Sequence, residues 1–160
     1  ERSDLTGARL HDMSAQRVIL RDANLTNTSF DGADMTEAFL SGTTLTGAVM
    51  QGAHMPQIDL TGATLPADLH DADMPAALLP GTNLSSRDLS GANLAGANLS
   101  EANLSDADAT GADFSGADLS GADLQGAIIT DARFTDAILT GSTRCPSGNL
   151  EADEPGCGLL

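Results

Sequence analysis

The chain has 160 residues and a formal net charge of −16, a balance that argues against binding to phosphate backbones or anionic membranes, since both are held through Lys and Arg. Lysine, tyrosine and tryptophan are absent and phenylalanine occurs four times. A core of interlocking large side chains is therefore excluded, and the abundant Ala and Leu suit a narrow interior that one residue type fills repeatedly. No apolar run approaches the roughly 18 residues of a membrane-spanning helix, so a soluble chain without membrane insertion is expected.

The sequence opens on Glu1 with no initiator Met and no signal-type stretch, which reads as a start set by processing or truncation. From Leu5 onward an apolar residue recurs every five positions: Leu5, Leu10, Ala15, Leu20, Leu25, Phe30, Met35 and so on to Leu65. One residue is then missing near Pro66, and the count resumes at Leu69 and runs to Leu139. Of these twenty-eight central positions only Ala15 and Ala109 are smaller than Leu, Ile, Met or Phe. Two places before each centre the residue is Ala in twenty of the twenty-eight units, so two positions per unit face inward and three outward. Neither the 3.6-residue helical period nor strand alternation fits a period of five. A chain that turns a corner every five residues does.

The stretches GANLAGANLSEANL (residues 91–104) and GADLSGADLQG (residues 116–126) are similar to the motif of the pentapeptide-repeat family, [S/T/A/V][D/N][L/F][S/T/R][G]. The resemblance covers about residues 1–142. It implies an all-β right-handed quadrilateral β-helix with four units per coil and about seven coils, neighbouring coils stacking at ~4.8 Å in a column roughly 30 to 35 Å tall. Residues twenty apart, or nineteen across the gap, should then share a face. On the third face the centres are Ala15, Met35, Met55, Met74, Leu94, Phe114 and Phe134. Met stacks on Met and Phe on Phe, as stacking requires.

No catalytic constellation is present. The sequence holds no GxGxxG, no P-loop and no nucleophile with an ordered base, and a filled solenoid has no interior cleft, so a non-enzyme without a cofactor is expected. Each histidine lies near a methionine (His11 and Met13, His54 and Met55, His70 and Met74), but Met55 and Met74 are inward centres, so surface histidines are expected rather than a copper site. The second face carries an outward column with Asp68, Asp88 and Asp108 at ~4.8 Å spacing. These carboxylates repel one another, and a bound cation or the adjacent Arg87 would relieve them; a solvated acidic face is the simpler expectation. The fourth face differs. Its outward column contains Ile19, Phe39, Leu78 and Ile138, the best candidate interaction surface for a protein partner or for weak self-association.

After Leu139 the repeats stop, leaving residues 143–160 as a Pro- and Gly-containing capping tail with the chain's two cysteines, Cys145 and Cys157. A disulfide between them would staple the cap by about 3 kcal/mol in the chain-entropy model. That pairing points to an exported compartment, periplasmic or thylakoid-lumenal, and free thiols would point to the cytoplasm. The tail also resembles the Cys-Pro to Cys ending that exported members of the family often carry. The leading functional reading is a non-catalytic scaffold that presents rigid faces to an unidentified protein partner, with no nucleic acid bound. The alternative is a DNA-mimicking binder of DNA gyrase of the quinolone-resistance type. The charge agrees with mimicry; those proteins dimerise through a C-terminal helix, which a tail of this composition does not form.

Overall fold

The computed structural model describes residues 3–140, 142–146 and 148–149. Its organising feature is a set of parallel bridges between residues twenty apart, such as Asp4 with Asn24 and Asn98 with Asp118, or nineteen apart across the gap, as in His54 with Asp73. Four five-residue units therefore complete one turn of a β-solenoid. At each bridge the amide of the central residue donates to the next coil and the carbonyl two residues earlier accepts from it: Leu94 N–H bonds Asp113 O at 2.8 Å, and Asp113 N–H bonds Ala92 O at 2.9 Å.

Each unit turns because the residue two after the centre adopts a left-handed conformation, as at Gly47 (φ 69°) and Asp22 (φ 56°). Gly and Asx residues tolerate that region best. A Cβ at Gly47 would meet the Asn27 Oδ1 of the coil before, the movable end of a side chain, so the left-handed backbone is the stronger reason for glycine there. The outward Asp or Asn before the centre secures the same corner. Asp88 Oδ1 accepts both the backbone N–H of Ser90 at 3.0 Å and its hydroxyl at 2.6 Å, and Asn103 does the same for Ser105. The recurrent Asx–Leu–Ser/Thr sequence is thus a side-chain-capped turn.

Centres and inward alanines form one continuous core in which Leu25, Met55, Leu94 and Leu119 are fully buried. Phe114 and Phe134 stack with ring centroids 5.1 Å apart and planes 12° from parallel. In the first coil Leu5, Leu10 and Leu20 are only half-buried, as are Ile129 and Leu139 in the last units before the tail. Each of these coils lacks a regular neighbour on one side.

The unit from Leu65 to Leu69 departs from the pattern. Pro66 is buried while Ala67, expected to face inward, is exposed. No residue between them and Leu69 is left-handed. Three residues cannot make the same corner as four, so the chain cuts across it with Pro66 turned inward. The consequence spreads to two faces: among the described residues no bridge joins Thr64 to Asn83 or Val49 to Asp68, whereas the third and fourth faces are bridged without interruption. Among the described residues, the two buried polar side-chain atoms without a partner, Thr82 Oγ1 and Arg87 Nε, both lie in the coil that follows this seam.

At the far end the first face continues beyond the repeats read from sequence. Thr143 is buried and donates its hydroxyl to Leu119 O at 2.8 Å, Arg144 bridges Asp123, and Cys145 fills a central position at 4% exposure. One extra residue before Thr143 hid this continuation. The short antiparallel pair β1 (Arg144–Cys145) and β2 (Gly148–Asn149) follows.

Missing ladder bonds leave the amides of Met50, Leu65, Asp68 and Asn83 without an inter-coil acceptor. We expect Met50, Leu65, Asp68 and Asn83 to exchange at least about tenfold faster than Leu94 and Leu99 in native-state hydrogen exchange. Equal protection would show that the seam is closed in solution.

Candidate functional site

The outward surface divides by face, and the fourth is the most apolar. Its column runs Ile19, Phe39, Asp59, Leu78, Asn98, Asp118, Ile138, each bridged to the next. Ile19, Leu78 and Ile138 are 68%, 44% and 53% exposed. Phe39 is half-buried, because the Arg21 guanidinium sits 4.9 Å above its ring centroid in a cation–π contact. Of the four residues expected at an interaction surface, three are open side chains, and the fourth presents a cation over an aromatic face. They are spread along the full column, with only Ile19 and Phe39 adjacent. Two further exposed apolar residues, Val49 and Ile128, lie on the second face.

The second-face aspartates stack as expected, Asp68 bridging Asp88 and Asp88 bridging Asp108. Their neighbour differs from expectation. Arg87 occupies an inward position, its nearest donor reaches only Ser85 O at 3.5 Å, and it forms none of the ion pairs among the described residues. Arg87 lies directly after Ala67 in its column and is half-buried, with its Nε fully buried.

The side chain paired with the column is His70, which sequence reasoning had set among ordinary surface residues. Its Nδ1 lies 2.7 Å from Asp68 Oδ1, with Gln51 Nε2 at 3.5 Å from the preceding coil. Ligand atoms of Asp68, His70 and Asp88 fall within 4.8 Å of one another. The bond to Asp68 and the negative charges of Asp68, Asp71 and Asp88 raise the His70 pKa, and the same bond lowers that of Asp68. The signal in the sequence was Asp68-x-His70: the residue after a centre reaches back to the carboxylate before it, the place Ser and Thr take elsewhere.

On the third face Asp34 is held down to about 2, first by the Thr36 hydroxyl and then by Gln16, with Gln16 Nε2 at 2.6 Å. His54 pairs with Asp73 at 2.6 Å, and Arg133 pairs with Asp113. Cys145 is buried and is not a free thiol; its expected partner, Cys157, lies outside the described residues.

The raised His70 pKa has a definite sign. Its stabilising contribution is complete below the ordinary value of 6.5 and is lost as pH rises through the folded midpoint. We expect an NMR titration midpoint above 6.5 for His70, and a stability gap between wild type and His70→Gln that narrows as pH passes it. A midpoint at or below 6.5 would refute the pairing.

Comparison with known proteins agrees with this geometry. The family model for pentapeptide repeats matches residues 3–42, 29–65, 67–106, 88–126 and 102–141, with its break at the seam. Among solved structures, the chain is similar to a trypsin-treated variant of QnrB1, a plasmid-mediated fluoroquinolone resistance protein, with a TM-score of 0.52 at 15% identity over 88% of this chain and 86% of that one. It is also similar to HetL, a pentapeptide repeat protein involved in heterocyst differentiation regulation from the cyanobacterium Nostoc sp. strain PCC 7120, at 26% identity over 94% and 92% of the two chains with a TM-score of 0.31. A pentapeptide repeat protein from the Arabidopsis thaliana thylakoid lumen matches at 22% identity, 89% and 70% coverage and a TM-score of 0.37. No curated protein matches significantly. The QnrB1 likeness bears on fold alone, and the fold is a right-handed β-helix. The chain belongs to the pentapeptide repeat family.

Proposed function

We propose that the chain is a non-catalytic scaffold of about seven four-sided coils that binds a protein partner through its fourth face. One observation carries this reading: the fourth face is bridged without a break and presents Ile19, Leu78 and Ile138, three of the five open large apolar side chains among the described residues. Apolar groups held at fixed spacing on a rigid surface favour docking of a complementary protein, because little side-chain order remains to be lost on binding. The interior supports the same reading, since centres and alanines fill it and leave the outer faces as the place for recognition.

Mimicry of DNA toward gyrase is the competing reading, supported by the −16 charge on a rod. The two make opposite demands on a supercoiling assay. A scaffold of the proposed kind leaves gyrase unaffected at micromolar concentration. Inhibition or quinolone protection that weakens steeply as salt rises would establish the mimic instead.

The scaffold reading includes an exported protein with a Cys145–Cys157 bridge. Intact mass without reductant should then lie about 2 Da below the dithiol value, for the two hydrogens lost when the thiols couple. Two alkylatable thiols in freshly purified protein would place it in a reducing compartment.

A further inference from the structure

We propose that the partner of the fourth face is a second copy of this chain, packed antiparallel about a two-fold axis that passes through Leu78. The inference rests on the fourth face being a docking surface and deepens that reading by naming the occupant.

A two-fold axis perpendicular to the solenoid axis and lying in the interface reverses the column of one copy against that of the other. Leu78 stands fourth of the seven bridged positions, so it meets its own counterpart on the axis. Ile19 then meets Ile138, Asp59 meets Asn98, and Phe39 meets Asp118. Every pairing is compatible: two apolar contacts at the ends, one at the centre, and a carboxylate opposite an amide. The fourth brings Asp118 toward the Arg21 guanidinium that covers Phe39.

The operation leaves the chain direction along the face unchanged, so corresponding corners also meet. Arg17, at the corner before Ile19, faces Asp136, at the corner before Ile138. Arg17 is 73% exposed in its side chain and bonds Glu37 through Nε at 2.7 Å, and Asp136 is exposed. The symmetry repeats that ion pair at both ends. In the middle coil the corner before Leu78 is Pro75–Ala76 and the corner after Leu79 begins at Pro80, so no charged residue of that coil lies beside Leu78.

The same operation fails on the third and second faces. On the third it sets Asp73 against Asp73 and Asp34 against Asp113; on the second it sets Asp68 against Asp68, and that face is broken at the seam. Self-complementarity of the kind an isologous interface demands is found on the fourth face.

Size sets the strength. Seven positions at ~4.8 Å and a side of about three residues give roughly 300 Å² per copy. That is well under the ~800 Å² per partner of a standard stable interface, so the dimer is weak, with a dissociation constant on the order of 10 to 1,000 μM.

Sedimentation equilibrium of the purified protein across that range should show a reversible monomer–dimer equilibrium. Leu78→Asp, a surface change that places two carboxylates on the axis, should weaken it by about tenfold or more, with the circular dichroism spectrum unchanged. A cysteine series fixes the register: Leu78→Cys should give a covalent dimer on mild oxidation, Asp59→Cys and Asn98→Cys should link when mixed, and Asn98→Cys alone should not. A monomer at every concentration, a dimer indifferent to Leu78→Asp, or linkage of Asn98→Cys to itself would overturn the antiparallel dimer. A strictly monomeric protein whose fourth face still photo-crosslinks a different protein would keep the scaffold reading and refute only this one.

Discussion

Among the described residues the bridges between coils pair positions twenty apart, nineteen across the gap and twenty-one at Asp123 and Arg144, and that register governs the rest of the structure. Parallel strands pair only if each coil has the same contour as the next, so every five-residue unit must turn through the same corner. The corner requires a left-handed residue, a short polar side chain to hold its amide, and an interior small enough for Ala and Leu to fill. Composition follows from this. Bulky aromatics would widen one coil and break pairing in its neighbours, and among the described residues the three buried phenylalanines stand where the column admits them, Phe114 directly on Phe134. A single change in contour is therefore felt along the solenoid and around it.

The seam shows how far such a change travels. Removing one residue at Pro66 shortens one corner, yet it also unpairs two faces, exposes Ala67, and leaves Thr82 Oγ1 and Arg87 Nε without partners. An unpaired buried polar atom costs about 1–3 kcal/mol. Arg87 would be far more costly fully enclosed at an inward position, and it stays half-buried. The third and fourth faces stay regular on the opposite side, and it is there that side chains keep a fixed spacing.

Periodicity made most of the fold legible. The centres, the inward alanines and the stacking of Met35, Met55 and Met74 follow from counting in fives, because the repeat encodes position directly. Errors arose where the count changed. Ala67 was placed inward because it precedes a centre by two, but a three-residue corner has no room for both the turn and that orientation. Cys145 was placed outside the repeats because one added residue shifted it out of phase, although it fills a central position. The site was harder to read. Sequence spacing placed Ile19, Phe39, Leu78 and Ile138 on one face, but which side chain shields another depends on rotamers, so Arg21 over Phe39 was missed. Proximity of Arg87 suggested a counter-ion for the acidic column, while burial of its Nε and the reach of His70 make the histidine the paired side chain.

The acidity of the rod is not demanded by its architecture. At the outward position before the centre, Asn24, Asn83, Asn98 and Asn103 make the same pair of bonds to the following Thr or Ser that Asp88 and Asp108 make. Either side chain supplies the acceptor oxygen, so the choice between them is free with respect to the turn. Asp adds charge, and stacked Asp adds repulsion that the fold does not need. Where aspartates stack as Asp68, Asp88 and Asp108, the second face repels a copy of itself; where Asn98 stands opposite Asp59 under two-fold reversal, the fourth face does not. The Asp/Asn pattern, neutral for folding, is therefore the part of the repeat able to decide which face meets which partner.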